Sequence, residues 1–260
     1  MMLPRADAQR LVDRYFDFAM PTYRFLHRPT IQAWFDEFYD TLGVMRDPVR
    51  APARIALLFM VFAQGRVYMP DDDVPGPADL RWAAFFLMSS SLDKQQVDTH
   101  ASTRYFLAAE HQLAKERGLT RLTSVQARLT QCYYLLTQSR INHCWSLFGT
   151  VSHLVLAIGL NRNKRPATSS SSSSSSPATT MAGLIETESR RRTFWCAYTL
   201  DAFLSVALGR PRSLHDDDID VELPACLDDD ELDPACASQC GTRAPRPGPP
   251  IMLAPLAHIK

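Results

Sequence analysis

The chain has 260 residues, of which 46% are hydrophobic, enough to form the core of one large or two ordinary domains. Its 28 Lys and Arg residues balance its 28 Asp and Glu residues, so the net charge at pH 7 is zero. This balance excludes the overall positive charge that is typical of a nucleic-acid-binding domain. The first 16 residues contain no apolar stretch of the length that a secretory signal needs, so we expect no export and a reducing compartment.

Three helices are predicted between residues 52 and 118. Residues 52–69 (PARIALLFMVFAQGRVYM) and 78–90 (ADLRWAAFFLMSS) carry apolar runs typical of buried helices, and the acidic turn PDDDVPGP separates them. The third helix has apolar residues at helical spacing, and Gly118 is well placed to end it. Its apolar positions are Val97, Ala101, Tyr105, Ala108 and Leu113.

Two further helices are predicted within residues 123–160. The first carries a stripe of apolar residues, and Thr123 with Gln126 forms a capping box at its start. The second has a comparable stripe that includes Trp145, and Gly159 is placed to end it in a left-handed conformation before apolar Leu160. Few residues separate the two helices, so we expect an antiparallel hairpin.

Two stretches are predicted to be disordered. Ser169 to Ser176 is an uninterrupted run of serines, so we expect a flexible loop over residues 164–180. Residues 225–260 are rich in Pro, Gly, Ala and Asp and lack a sustained period, which predicts a disordered tail. The folded domain is therefore predicted to span residues 1–224.

A helix from about Leu184 to Leu208 is predicted to form the buried centre of the fold. A membrane span is disfavoured because Asp201 lies in the middle of the apolar run, and a basic nucleic-acid-binding helix is disfavoured because Arg190, Arg191 and Arg192 occupy one end only. The apolar run itself begins at Thr193, so we expect the three Arg residues at its N-terminal turn, where they oppose the helix dipole. Buried Asp201 needs a partner, which we expect to be an Arg from this or another helix. The apolar residues cover every side of the helix: Phe194, Trp195, Tyr198, Leu200, Phe203, Leu204, Val206 and Leu208.

An acidic segment follows this helix after Gly209, Arg210 and Pro211. Its carboxylates could bind a divalent cation, but they lack the spacing and central glycine of a calcium loop. The alternative is a solvated loop whose acidic residues pair with Arg210, Arg212 or the three consecutive Arg residues. The acidic residues are Asp216, Asp217, Asp218, Asp220 and Glu222.

Cysteine and histidine spacing gives no metal-binding or catalytic pattern. The six Cys residues contain no CxxC pair, and three of them fall in helical patterns as small core residues. On their predicted helices, His100 and His111 lie too far apart to share a metal, and so do His143 and His153. His27 precedes a helix that we expect Thr30 to cap, a position that favours bonding to local backbone. The chain contains no GxSxG, GxGxxG or phosphate-loop motif.

Three blocks in the sequence resemble the fungal-specific transcription factor domain, or middle homology region, of zinc-cluster regulators. They are residues 15–35, 124–163 and 188–224, in the family's order. The block at 188–224, ESRRRTFWCAYTLDAFLSVALGRPRSLHDDDIDVELP, carries the family signature, although Ala202 stands where many members have Arg. The positions that match the family pattern, all expected to be structural, are His27, Arg28, Pro29, Gln126, Trp145, Gly159, Arg191, Arg192, Trp195, Asp201, Gly209, Arg210, Pro211, Asp220 and Pro224.

The resemblance implies an all-α regulatory domain of a nuclear transcription factor that controls RNA polymerase II transcription. It implies that zinc and DNA are bound by a separate N-terminal module, which these residues lack, so we expect a fragment or truncated gene model without catalytic residues or metal ligands. Expected partners are DNA through that module, a second copy of the chain, co-regulators or a small-molecule inducer, and no membrane. The predicted architecture is a bundle of antiparallel helix pairs around a buried central helix.

Two alternatives remain open at this point. An interaction scaffold would explain the surplus of aromatic residues at Phe85, Phe86, Tyr133, Tyr134 and Trp145. A helical protein that binds a small molecule would use a pocket among these bulky side chains.

Overall fold

The prediction of an all-α fold is confirmed. A computed structural model describes residues 3–69, 101–163, 177–225 and 227–232, and in these ranges it contains helices, turns and irregular segments but no β-strand. The predicted helix at 78–90, with Phe85 and Phe86, lies outside the described residues, as do Val97, His100 and the run from Ser169 to Ser176. The α-helices are α1 (Arg5–Arg14), α2 (Arg28–Asp40), α3 (Ala51–Val67), α4 (Ala101–Ala114), α5 (Leu122–Thr137), α6 (Ile141–Ala157), α7 (Pro177–Leu208) and α8 (Asp229–Leu232).

The described residues form two compact units. The first unit comprises residues 1–21 and 30–151, and the second comprises residues 22–29 and 152–260. Helices α2 and α6 contribute residues to both units. No helix in the described ranges combines the length and the apolar character that crossing a bilayer requires.

The first unit is organised around α3, which packs against α1, α4 and α5. Every residue from Ala56 to Ala63 is fully buried, so this helix is covered on all sides. Aromatic rings fill the space around it: Phe62 contacts Tyr105 of α4 with ring centroids 5.9 Å apart, and Phe38 of α2 contacts Phe59 at 6.1 Å. The prediction that residues 52–69 form a buried helix is confirmed.

Helix α1 lies unusually close to α3. A Cβ added at Gly65 would overlap the carbonyl oxygen of Leu11 and lie 3.0 Å from the carbonyl carbon, so only glycine fits there. After Arg14 the chain continues as a π-helix from Tyr15 to Ala19 before it leaves the helical path. Glycine at position 65 therefore sets the distance between two of the main helices of this unit.

Helices α4 and α5 are joined through aromatic and polar contacts. Phe106 stacks on Tyr134 with centroids 5.2 Å apart, and the Tyr134 hydroxyl donates to Ser102 Oγ at 3.1 Å. The predicted capping box at the start of α5 is wrong, because the helix begins at Leu122 with Arg121 at the N-cap and no side-chain cap. Gly118 has a positive φ of 90°, but it lies in the loop beyond the end of α4 at Ala114.

Helix α7 dominates the second unit and differs from its prediction in two ways. It begins at Pro177 rather than near Leu184, so residues 177–180 of the predicted flexible loop are helical, and Arg190 to Arg192 lie mid-helix rather than in the first turn. It is also not covered on all sides, because the side chains of Phe203 and Val206 are 52% and 86% exposed. The helix that is buried all round is α3.

The predicted helix ends in this unit are confirmed. Gly159 (φ 62°) follows α6 and Gly209 (φ 63°) follows α7, both in the left-handed region that glycine adopts without strain. Leu160 N–H donates to the Val155 carbonyl at 2.9 Å, and Arg210 N–H donates to the Ser205 carbonyl at 3.1 Å. Both helices therefore end at a left-handed glycine, a conformation that the sequence predicted for Gly159.

Candidate functional site

The most elaborate polar arrangement in the second unit surrounds Arg192, a buried residue in the middle of α7. Its Nε donates to Glu188 Oε1 at 3.0 Å, one turn earlier in the helix. One terminal nitrogen donates to Asp229 Oδ1 at 2.6 Å, and the other donates to the carbonyl of Leu227 at 2.6 Å. All three side chains of this buried cluster are less than 10% exposed, so the charges are shielded from water, and one guanidinium faces two carboxylates.

The two carboxylates of this cluster also bind backbone amides of distant segments. Asp229 Oδ2 accepts a hydrogen bond from the Arg28 amide at 2.9 Å, at the first residue of α2. Glu188 Oε1 accepts one from the Ala225 amide at 3.0 Å. The helix that follows buried His27 is therefore capped by Asp229, not by Thr30 as predicted, and Asp229 lies in the stretch predicted to be a disordered tail.

Asp201 holds the loop that follows α7. This buried carboxylate accepts hydrogen bonds from the Ser213 amide (3.1 and 3.0 Å to its two oxygens) and from the Leu214 amide (2.9 Å). Its cationic partner is Arg212, whose Nε lies 3.7 Å away. The prediction of an Arg partner is confirmed, but this Arg belongs to the loop rather than to a helix.

Arg212 also connects α7 to the acidic segment. Its guanidinium carbon lies 4.3 Å from the centroid of the Tyr198 ring, and its NH1 lies 3.6 Å from Asp216 Oδ1. The Tyr198 hydroxyl donates to the same Asp216 oxygen at 2.7 Å. Desolvation, together with the Asp216 carboxylate, raises the pKa of Tyr198, so this hydroxyl stays protonated and remains a donor.

The remainder of the acidic segment is bound by two asparagines that follow α6. The Asn161 carbonyl accepts from the amides of Asp220 (3.0 Å) and Val221 (3.2 Å), and Asn161 Nδ2 donates to the Asp218 carbonyl at 2.7 Å. The Asn163 amide donates to Asp220 Oδ1 at 2.7 Å. The Asp220 carboxylate therefore already accepts a hydrogen bond from the protein backbone. We did not predict either asparagine, although both directly follow a glycine helix end, where polar residues often bind neighbouring backbone.

Trp195 lies at the edge of this arrangement. Its indole Nε1 donates to the Glu222 carbonyl at 2.9 Å, and the Glu222 carboxylate pairs with Arg191. The ring is partly exposed, so the prediction that Trp195 is deeply buried is wrong. The prediction that the acidic residues pair with Arg212 and with the consecutive Arg residues is confirmed by Asp216 and Glu222.

Comparison with known proteins identifies the family. The model of the family described as "Fungal specific transcription factor domain" matches residues 12–239. The chain belongs to this family. Its second unit contains the charged clusters described above, and its all-α fold agrees with the expectation from the sequence blocks.

The relatives in this family are fungal transcription regulators rather than enzymes. "Activator of stress genes 1" of Saccharomyces cerevisiae is 26% identical over 233 residues, which cover 88% of this chain and 21% of the relative. "Positive regulator of purine utilization" of Emericella nidulans is 25% identical over 244 residues, 85% of this chain and 23% of the relative. "C6 finger domain transcription factor hasF" of Aspergillus fumigatus is 26% identical over 236 residues, 87% of this chain and 28% of the relative.

The chain thus spans between 21% and 28% of the length of these three regulators. No solved structure matches it.

The remaining motif positions of the family domain are distributed over both units. Gln126 is buried in α5, where its carbonyl accepts the Thr130 hydroxyl at 2.8 Å, and Trp145 of α6 is 39% exposed rather than part of a buried stripe. In the second unit Pro211 follows the end of α7, and buried Pro224 directly precedes the amide held by Glu188. A structural role for these positions stays a prediction.

Burial raises the pKa of the Cys196 thiol to about 12, so it is protonated at neutral pH and is a poor nucleophile or metal ligand. Within the described ranges no group of three His, Cys, Asp or Glu residues is placed to hold a metal ion. A shallow groove of about 270 Å³, including space open to solvent, is lined by Leu160, Arg190 and Val221, among others. The Arg190 guanidinium donates a hydrogen bond to the Ile158 carbonyl at 2.8 Å.

Proposed function

We propose that this chain is the regulatory region of a fungal zinc-cluster transcription factor that acts in the nucleus on RNA polymerase II transcription. The family match over residues 12–239 carries the proposal, and the relative described as a C6 finger transcription factor supports the zinc-cluster class. Because the net charge of the chain is zero, we place contact with DNA, and zinc with it, in another part of the protein.

The hydrogen bonds of the second unit form a framework centred on Arg192, Asp201 and Asp229. This framework supports a role in which the second unit transmits or restrains the activity of the regulator. Residues 188–229 are linked by buried or partly buried hydrogen bonds that involve Arg192, Asp201 and Asp229. Such a framework can present a surface to a co-regulator, to a second copy of the chain or to a region responding to an inducer. We propose partners of these three classes for the full-length regulator.

A reporter assay in yeast tests this function. The chain is placed between a heterologous DNA-binding domain and a strong activation region, and reporter output is compared with the same fusion lacking the chain. We expect the chain to change reporter output. The Arg192→Ala variant should abolish this effect because it unfolds the framework, whereas Arg191→Ala should retain it.

Unchanged output with every fusion, together with no binding of co-regulators or self-association in sedimentation velocity experiments, would contradict the regulatory role. A second test is the messenger RNA sequence upstream of Met1. Six paired cysteines encoded there would support the zinc-cluster class, and a different DNA-binding module would contradict it.

A further inference from the structure

A groove in the first unit combines unpaired positive charge with exposed apolar side chains. It lies between the segment that precedes and begins α3, with Val49 and Arg50, and the loop from Glu116 to Thr123 that joins α4 to α5. The groove is open to solvent. We infer that it binds an acidic peptide segment of a partner protein in which Asp or Glu residues flank Leu or Phe. This inference goes beyond the proposed function and depends on the groove alone.

The described lining of the groove carries more positive than negative charge. Arg117 and Arg121 are exposed, and neither forms an ion pair with another residue in the described part of the chain. Arg50 is exposed as well and contacts Asp47 at 3.3 Å. The acidic residue in the lining, Glu116, is already engaged by Arg128 at 2.8 Å and by the Ser124 hydroxyl. The groove therefore has an excess of guanidinium groups in a chain whose total charge is zero.

The apolar part of the groove is equally exposed. Leu119 is 89% exposed and Val49 is 63% exposed, and both line the groove. A single exposed apolar residue is ordinary, but two of them beside unpaired arginines combine the apolar and Arg contacts found in protein interfaces. The first turn of α5, which contributes Thr123 to the lining, adds the positive end of a helix dipole.

These features together select the chemistry of the occupant. Carboxylates of Asp or Glu match the planar guanidinium groups of Arg117 and Arg121, which can donate two parallel hydrogen bonds each. A Leu or Phe side chain between the carboxylates would cover Leu119 and Val49. A nucleic acid supplies phosphates but no aliphatic side chain, so the exposed Leu119 favours a peptide.

Fluorescence anisotropy with purified full chain tests the inference. The probe is a short fluorescein-labelled peptide in which Asp residues flank Leu and Phe. Control peptides replace every Asp by Asn, or Leu and Phe by Ser. We expect the acidic apolar peptide to bind, and each control peptide to bind at least about tenfold more weakly, because charge and apolar contact both contribute. Binding should weaken with added salt.

Protein variants locate the site. Arg117→Glu with Arg121→Glu should weaken binding by about tenfold or more, and Leu119→Ser by about threefold to tenfold. Two matched controls should leave binding unchanged: Arg140→Glu, an exposed arginine that does not line the groove, and Val206→Ser, an exposed valine of the second unit. Circular dichroism should show the same helix content in all variants.

Three outcomes would overturn the inference. The first is that no acidic apolar peptide binds, or that binding survives both groove variants. The second is that a heparin fragment or single-stranded oligonucleotide competes at the same charge concentration and the Ser-substituted peptide binds as well, which would show a general polyanion site. The third is concentration-dependent self-association that the groove variants abolish, which would make a second copy the occupant. Each result is independent of the reporter assay.

Discussion

Removing the Arg192 side chain tests whether the buried cluster of Arg192, Glu188 and Asp229 stabilises the second unit. Arg192→Ala leaves the carboxylates of Glu188 and Asp229 buried without their cation and removes the donor to the Leu227 carbonyl. Breaking a buried ion pair by removing one partner costs about 3 to 5 kcal/mol. Since a domain is typically stable by about 5 to 15 kcal/mol, this loss is large enough to unfold much of the protein near its working temperature.

Guanidinium chloride denaturation of the full chain, followed by far-UV circular dichroism, measures this loss as a lower midpoint. The matched control is Arg191→Ala at the adjacent position, because Arg191 pairs with Glu222, whose side chain is 64% exposed. A pair of this kind contributes about 0 to 1 kcal/mol. If both variants lose the same amount, or if Arg192→Ala loses less than about 1 kcal/mol, the reasoning on buried charge is refuted.

A neutral version of the cluster separates two contributions to the loss of stability: the cost of carboxylates buried without a cation and the cost of lost packing. Arg192→Met combined with Glu188→Gln and Asp229→Asn keeps the shape of the side chains and removes all three charges. It should recover part of the stability lost by Arg192→Ala, because no charge is then left buried without a partner. A triple variant as unstable as Arg192→Ala would show that the cost comes from lost volume and hydrogen bonds.

Three further predictions concern single positions. Gly65→Ala should destabilise the chain by about 3 kcal/mol in the same denaturation assay, because the added Cβ would overlap the Leu11 carbonyl; a loss below about 0.5 kcal/mol would contradict the close approach. Gln64→Met should stabilise it by about 1 to 2 kcal/mol, since Gln64 is fully buried and neither of its amide atoms has a hydrogen-bond partner among the residues that the structure describes; a loss of stability would contradict this. Cys196 should react with a thiol reagent at about pH 8 only after denaturant is added, because its thiol pKa is raised; rapid modification in mass spectra of the folded chain would count against the buried thiol.

Helix ends with a clear local signal could be predicted from the sequence. Gly159 and Gly209 each follow an apolar periodic stretch, and the left-handed conformation that both adopt is inexpensive only for glycine. The start of α7 had no comparable signal, because the residues after Pro177 are small or polar and show no apolar stripe until about Leu184. Periodicity therefore located the packed part of this helix but not its first two turns.

The partners of charged residues could not be predicted from local patterns. Arg192 and Asp229 are 37 residues apart, and Asp229 lies in a stretch with no helical or strand period, which we therefore predicted to be disordered. The apolar residues on every side of its helix predict that Trp195 is buried, but its indole N–H requires an acceptor, and the Glu222 carbonyl supplies one at a partly exposed position. Hydrophobic patterns indicate which face of a helix is covered and say little about how polar groups pair.

The polar residues of the second unit have a common physical task. Among the described residues between Arg210 and Asp228, the regular structure is one short 3-10 turn, Asp216–Asp218, so most backbone amides and carbonyls of this segment need partners outside a helix. Asp201 supplies acceptors for two amides, Asn161 binds the Asp218 carbonyl and the amides of Asp220 and Val221, and Glu188 accepts the Ala225 amide.

The signature residues of the domain are thus engaged in holding an irregular segment against a helix. Residues already engaged in this way are poor candidates for contacts with an external partner, because binding one would first require breaking an internal hydrogen bond. Partner recognition is better sought at side chains that the fold exposes and leaves unpaired. In the first unit, Arg117 and Arg121 meet this criterion. Both lie in a surface loop outside the three signature blocks.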